Sequence, residues 1–270
     1  MKLTKNLRKM ILAGAALAVC TGFALNAQAQ ACTVDNWDVQ QGLADSDTGT
    51  QGANNRRYGG PCGLRVGLDG TERYVGDDSP GGEESYIARF YTFLDDVTTS
   101  DPVMIFAAGD DNDESVLEVS YQGGDLTLTV YGATTESATF SDIGSGWHSV
   151  EVVWAAGEDT LFKVDEEDDL VVSADTSGLT IDYADLGNLN EADGGSIDFD
   201  DFDSRRSERP GRLLVGDAND DGSVNVLDVA DLYDEINGSE FATGQPDCNE
   251  DGSINVLDVA CTYDRISGVL

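Results

Sequence analysis

The sequence predicts a mostly β protein: an antiparallel β-sandwich of jelly-roll type, followed by a small all-α module built from two loop–helix repeats. Three observations predict this. Short alternating segments separated by turn clusters run from residue 86 to 173. Beyond about residue 211 the apolar spacing changes from period two to a helical period. There, "GDANDDGSVNVLDVADLYDEI" at 216–236 recurs thirty residues later as "PDCNEDGSINVLDVACTYDRI".

The chain begins with "MKLTKNLRKMILAGAALAVCTGFALNAQAQA", which has the anatomy of an export signal. Lys2, Lys5, Arg8 and Lys9 precede an apolar run from Met10 to Leu25, and two overlapping Ala-Gln-Ala triplets place cleavage after Ala29 or Ala31. A membrane anchor is the competing reading, but the run falls below the roughly 20 residues a span requires. Lipid attachment at Cys20 would need a small residue where Val19 stands. A secreted, extracellular protein is therefore expected, with attachment to a cell surface through a partner left open.

Without residues 1–31, 11 basic residues face 52 acidic ones, a net charge of −41, and Lys163 is the sole lysine. Such a surface repels nucleic acid and anionic membranes, so neither is an expected partner. Four cysteines remain: Cys32, Cys62, Cys248 and Cys261. In an exported chain an even number suggests disulfides, and sequence distance favours Cys32–Cys62 and Cys248–Cys261. A zinc site would need closely paired cysteines and supporting histidines, which the sequence lacks.

The strand candidates are "YIARFYTF" (86–93), with Tyr86, Ala88 and Phe90 on one side, then "VLEVSY" (116–121), "LTLTVYG" (126–132), "HSVEVVW" (148–154), "LFKV" (161–164) and "LVVS" (170–173). Clusters such as "GDDNDE", "QGGD" and "AAGED" punctuate them. About 175 residues suffice for a two-sheet core. The pattern breaks at Glu208-Arg209-Pro210-Gly211, which divides the chain into a signal (1–31), a sandwich (32–206), a linker (207–215) and a terminal module (216–270).

The repeated stretch carries chemistry. Counted from Asp217 and Asp247, positions 1, 3 and 5 are Asp217, Asn219, Asp221 and Asp247, Asn249, Asp251. Position 6 is Gly222 or Gly252, position 7 Ser223 or Ser253, position 9 Asn225 or Asn255, and position 12 Asp228 or Asp258. This is the ligand rhythm of a calcium loop: alternate residues point oxygens inward, glycine permits the turn, position 7 offers its carbonyl and position 12 closes the shell. Two carboxylates about 4 Å apart repel by roughly 4 kcal/mol at an effective dielectric of 20. Each loop gathers three, and a divalent cation reverses the sign. Two Ca²⁺ ions are the expected cofactors. Mg²⁺, which wants a smaller octahedron and keeps its waters, fits less well.

Position 12 is aspartate where an EF-hand has glutamate, and each loop is followed by one helix with none before it. In this the segment from Gly216 to Gly268 resembles type I dockerins, with "VLDVA" recurring at 226–230 and 256–260 and Tyr-Asp-x-Ile at 233–236 and 263–266. The resemblance implies a cohesin module of a scaffolding protein as partner. It also implies a binding surface of Val226, Leu227, Tyr233 and Asp234 in one repeat and Val256, Leu257, Tyr263 and Asp264 in the other, with either face usable after a half-turn. Dockerins often carry hydroxyl residues where this chain has valine. Against a binding role, Val226, Val229, Ala230 and Tyr233 form a stripe able to serve as core. Both readings stand at this point. Separately, "WHSVEVVWAAGEDTLFKVDEEDDLVVS" and the stretch ending "DFDDFDSRR" resemble the later strands of laminin-G-like, concanavalin-like sandwiches, an architecture shared by lectins, glycosidases and adhesion modules.

Catalytic signals are sparse. His148 is the only histidine and shares parity with Val150, Val152 and Trp154, as expected of a hydrogen-bonded residue at a strand start; no G-x-S-x-G elbow accompanies it. No strand shows the one-faced carboxylate alternation of a glycosidase. "VDEEDDL" (164–170) reads as a hairpin turn, and "DFDDFDSRR" (198–206) as an exposed closing strand. Trp37, Trp147 and Trp154 suit either a core or a sugar-stacking role. The sequence therefore supports a non-catalytic protein whose module binds calcium and docks to a cohesin-type partner, presenting a sandwich that recognises glycan or protein. The alternatives are an enzyme or accessory factor of polysaccharide breakdown, and a calcium-stabilised structural tail with no docking role.

Overall fold

The structure is a computed structural model that describes residues 32–49 and 56–269; the export signal expected at 1–31 lies outside the described residues. Among these residues, no helix is long and apolar enough to cross a membrane. Among the described residues fourteen strands follow one another: β1 Val39–Gln41, β2 Thr48–Gly49, β3 Gly63–Asp69, β4 Arg73–Asp77, β5 Ser85–Phe93, β6 Val103–Gly109 and β7 Ser115–Gln122. Then come β8 Asp125–Tyr131, β9 Thr135–Phe140, β10 Trp147–Ala155, β11 Thr160–Val164, β12 Leu170–Val172, β13 Tyr183–Asn188 and β14 Asp193–Arg205. Two helices close the chain, α1 Val226–Ile236 and α2 Val256–Ser267.

The strands form two seven-stranded antiparallel sheets, one ordered β1-β4-β13-β6-β7-β8-β9 and the other β12-β11-β10-β5-β14-β3-β2. Alternation explains the packing, because successive side chains leave a strand on opposite faces. In β8, Leu126, Leu128 and Val130 point inward and are buried while the residues between them stay half-exposed. Opposite them, β10 supplies Val150, Val152 and Trp154, and β5 supplies Tyr86, Ala88 and Phe90. Phe90 meets Phe106 across the sandwich at 5.5 Å between ring centroids. Burying one such ring contributes about 1.5–3 kcal/mol.

Strand β5 is buried on both faces. Its second face carries Tyr91 and Phe93, which join Tyr58, Trp147 and Leu213 in a separate cluster outside the core. Residues 207–215, expected as a linker, run over that outer face. Arg209 pairs with Glu151 of β10 and with Asp169 at 2.8 Å, Gly211 donates its N–H to Glu151 at 3.1 Å, and Leu213 donates its N–H to the Tyr91 hydroxyl at 2.7 Å.

One expectation needs correcting. The stretch at 198–206 is not an exposed closing strand. As the end of β14 it lies between β5 and β3, Asp198 is fully buried, and Arg65 holds it through two bonds of 2.8 Å. Asp198 faces Arg56 and Arg65, Asp203 faces Arg205, and Asp200 accepts backbone N–H groups instead. Of the two readings left open for the helical stripe, core holds at Val229 alone: Val226, Ala230 and Tyr233 are exposed, and Leu232 joins Val229 inside. The tryptophans divide. Trp147 and Trp154 are buried, while Trp37 is half-buried against Phe202 with centroids 5.4 Å apart. The chain joins Cys32 to Cys62 and Cys248 to Cys261.

Candidate metal loops and docking faces

Each loop is wound by its own side chains. Asp217 accepts hydrogen bonds from the backbone N–H groups of Asp221 at 3.1 Å and Gly222 at 2.8 Å, and Asn219 accepts from Asp221 at 3.0 Å. Asp228, reaching back from α1, accepts from Asn219 at 3.2 Å and Asn225 at 2.7 Å. Gly222 supplies the turn at φ 82°, where a side chain is disfavoured. Asn225 caps the helix by accepting from Leu227 N–H at 2.9 Å, and Asp228 completes a capping box. The Asn225 amide nitrogen donates to the Ser223 carbonyl at 3.2 Å.

The second loop repeats this arrangement. Asp247 accepts from Asp251 at 3.2 Å and Gly252 at 2.8 Å, and Asn249 accepts from Asp251 at 3.1 Å. Asp258 accepts from Asn249 at 3.2 Å and Asn255 at 2.8 Å. Asn255 accepts from Leu257 N–H at 2.9 Å, its amide nitrogen donates to Ser253 at 3.0 Å, and Gly252 has φ 83°.

The donor set fits a hard cation. Asp217, Asp228, Asp247 and Asp258 are all buried, and among the described residues none has an arginine, lysine or histidine ion-pair partner. Burial raises the Asp217 carboxyl, with Asp228 and Asp221 adding like charge. Burial likewise raises Asp258, and it pushes Asp247 to about 8, with Asp258 as the next cause. Buried carboxylates without a counter-charge are costly, and a bound cation removes that cost. Among the described residues no three carboxylate, imidazole or thiolate groups converge into a cage by themselves. A shell here would draw on the amide oxygens of Asn219, Asn225, Asn249 and Asn255 and the carbonyls of Ser223 and Ser253.

The helices pack on each other through Val229, Leu232 and Val259, joined by Ala218 and Ala242 from outside the helices. This leaves the residues of the proposed partner surface outside. Val226 is 63% exposed and Leu227 57%, against 64% for Val256 and 58% for Leu257. Tyr233, Asp234, Tyr263 and Asp264 are exposed one to two turns further along. The cause is local: a helix capped at Asn225 or Asn255 presents its first two residues beyond the core stripe that begins at position 228 or 258.

The sequence reading missed the seat of the module on the sandwich. The Glu250 carbonyl accepts the Trp147 N–H at 2.9 Å, and its carboxylate accepts from the Tyr58 hydroxyl at 2.6 Å and from Arg212. Gly60 donates to Gly244 at 2.9 Å. Arg57, wholly buried, pairs with Glu235 of α1. The one available signal was Tyr91 and Phe93, whose parity in β5 is opposite to that of Phe90 and announces a second covered face.

The other acidic and aromatic candidates have structural partners. His148 bonds Asp165 through Nδ1 at 2.8 Å. Asp200 accepts from the N–H groups of Tyr58, Gly59 and Asp201 at 2.5, 3.0 and 2.8 Å.

Comparison with known proteins bears on these two parts separately. Residues 215–267 match the family model of the dockerin type I domain. No curated protein matches the chain. Among solved structures the chain is similar to the binding domain of botulinum neurotoxin serotype G, at 11% identity and TM-score 0.43, over 55% of this chain and 40% of that one. It is also similar to an alginate lyase in complex with dimannuronate, at 10% identity and TM-score 0.41, over 54% and 75%. The chain spans about two fifths of the neurotoxin domain.

Proposed function

We propose that the module at residues 215–267, a type I dockerin, takes up a calcium ion in each of its two loops and docks the chain to a cohesin-type scaffold partner outside the cell. The carrying observation is the exposure of the paired residues Val226, Leu227, Val256 and Leu257, apolar side chains that the module's own core does not use. Ligands at loop position 1 and at position 12 would hold the ion from both ends of each loop, which fixes where the following helix starts and so where those four side chains stand. Pull-down on a cohesin panel, with calcium and with chelator, tests this. Capture is expected only with calcium; calcium uptake without capture by any cohesin would leave a structural tail.

The cargo is the sandwich, read here as a recognition domain for glycan. The outer face of the sheet containing β4, β13, β6 and β7 favours this reading. A cleft of about 140 Å³ there is lined by Tyr74, Tyr183, Met104, Glu118 and Asp185, with no arginine or lysine. Tyrosine and carboxylate side chains suit hydroxyl-rich, uncharged sugar, and the charge disfavours acidic polymers. Retention on neutral but not acidic polysaccharide is the expected result in an affinity gel; equal mobility on both would refute it.

A further inference from the structure

We infer that the two calcium loops are unequal: the sandwich holds the second in shape, so that calcium uptake there and the seating of the module strengthen each other. This rests on the calcium reading proposed above.

The loops themselves differ little: the second adds only bonds to Asp251 from the Asn249 amide at 3.0 Å and from Ser253 N–H at 2.9 Å. Their corresponding internal hydrogen bonds agree within 0.2 Å, from the 2.8 Å bond at Gly222 and Gly252 to the 3.2 Å bond at Asn219 and Asn249. Their surroundings differ at every step. Position 4 of the first loop is Asp220, exposed to solvent. Position 4 of the second is Glu250, whose carbonyl is tied to Trp147 N–H and whose carboxylate is tied to Tyr58 and Arg212. Both residues are non-glycine with positive φ, 58° and 60°, so both loops need this turn held. In the second loop the sandwich holds it; in the first the module's own Thr243 does, its hydroxyl donating to the Asn219 carbonyl at 3.1 Å.

Position 6 repeats the contrast. A Cβ on Gly222 would meet nothing within 4 Å, whereas on Gly252 it would lie 2.6 Å from the Phe93 ring and 2.8 Å from Arg56. The second loop therefore packs against the sheet through a glycine that leaves no spare room. The Cys248–Cys261 bridge spans this loop alone. A loop ordered by its neighbours gives up less freedom on taking an ion, and by linkage the ion strengthens the contacts that order it.

The test is calcium calorimetry on the exported chain, comparing the parent with Tyr58→Phe and with Tyr58→Phe/Arg212→Met. Each is also made with Asp228→Asn, which weakens the first loop and so assigns the two affinities. Both perturbations lie in the sandwich or its strap and touch no proposed ligand. The double substitution is expected to weaken the second site by about tenfold and leave the first unchanged. Simple electrostatics predicts the opposite sign, because losing a guanidinium beside the loop should tighten cation binding. In parallel, trypsin should cut after Arg212 in the chelated parent and not in the calcium form, and Tyr58→Phe should restore cutting at sub-saturating calcium. A parent that takes up no calcium overturns the metal reading, and this inference with it. A parent that takes up two ions, with both affinities indifferent to the sandwich substitutions, overturns this inference alone.

Discussion

Replacing Asp247 with asparagine should change the sign of its effect with calcium. In metal-free protein the Asp247 carboxyl is pushed to about 8 from an ordinary 3.8, chiefly by burial and then by Asp258. The folded state thus holds its proton more tightly than the unfolded state does. The associated stability is fully present below pH 4 and is lost as pH rises through 8. At pH 7 the loss is about three pH units' worth, on the order of 4 kcal/mol. Asparagine carries no charge and escapes that penalty. It still presents one oxygen to the backbone N–H of Gly252, but it turns an amide toward that of Asp251, costing one hydrogen bond or about 1 kcal/mol. In chelator the relief exceeds the loss, so Asp247→Asn should melt higher than the parent at pH 8, and the gap should close toward pH 5. With calcium at a thousand times its dissociation constant, one site contributes about 4.1 kcal/mol; a variant that forfeits most of that loses more than the net relief of about 3 kcal/mol or less at pH 7 and below, and should melt lower than the parent at pH 6.5. Helical circular dichroism, followed through thermal melts at pH 5, 6.5 and 8 with and without calcium, decides it. A variant less stable than the parent in chelator at pH 8 would show that the two backbone bonds outweigh the charge, and the argument from uncompensated burial would fall.

Three further outcomes are expected. Arg57→Met strands Glu235, which is buried and keeps only the Ala242 N–H as partner at 2.9 Å; urea unfolding should register a loss of about 3–5 kcal/mol, most of it recovered when Glu235→Met is added. Val226→Asp with Leu227→Asp should leave stability within about 0.5 kcal/mol, because both side chains are exposed, and cohesin capture should persist through Val256 and Leu257 until those are changed as well. Incubation with a polysaccharide panel should release no new reducing ends; release would overturn the non-catalytic reading.

The loop–helix repeats were legible because the same residue types recur at fixed spacing, and two copies thirty residues apart leave little room for chance. Which helix face would be free was not legible. Val226 and Val229 are the same residue type one turn apart, and only the cap at Asn225, which sets where the first turn begins, separates the exposed one from the buried one. The six named strands stood out because their apolar residues alternate. Strands β3 and β13 were missed where glycines interrupt the pattern, as in "GLRVGLD" and "YADLGN". Strand β14 misled for an electrostatic reason. In so acidic a chain a row of aspartates reads as a wet surface, but the scarce arginines are spent inside: Arg65 lies directly across from Asp198 and neutralises it. The seat of the module was hidden because Glu250 differs from its counterpart Asp220 by one methylene, and its partners lie more than a hundred residues away at Tyr58 and Trp147.

The seat changes what a two-faced dockerin can accomplish. On a free tether, docking through α1 or α2 leaves the sandwich in the same diffuse volume, and the two modes are equivalent. Here the module is fixed by Glu250 on one side and by the buried Arg57–Glu235 pair on the other, while both exposed pairs at the helix starts remain uncovered. Residues equivalent to Glu235 and Glu250 in the opposite repeat are Arg265 and Asp220, neither of which forms an ion pair with the sandwich among the described residues, so the pseudo-symmetry of the helices is broken where the cargo attaches. A half-turn of the module on its partner must therefore carry the sandwich with it to the other side. Complexes restricted to one mode by Val226→Asp/Leu227→Asp or by Val256→Asp/Leu257→Asp should scatter X-rays as two distinct rigid shapes. Breaking the seat with Arg57→Met should merge them into one broader distribution. Identical scattering from the two restricted complexes with the seat intact would mean that the module swings free of the sandwich once bound.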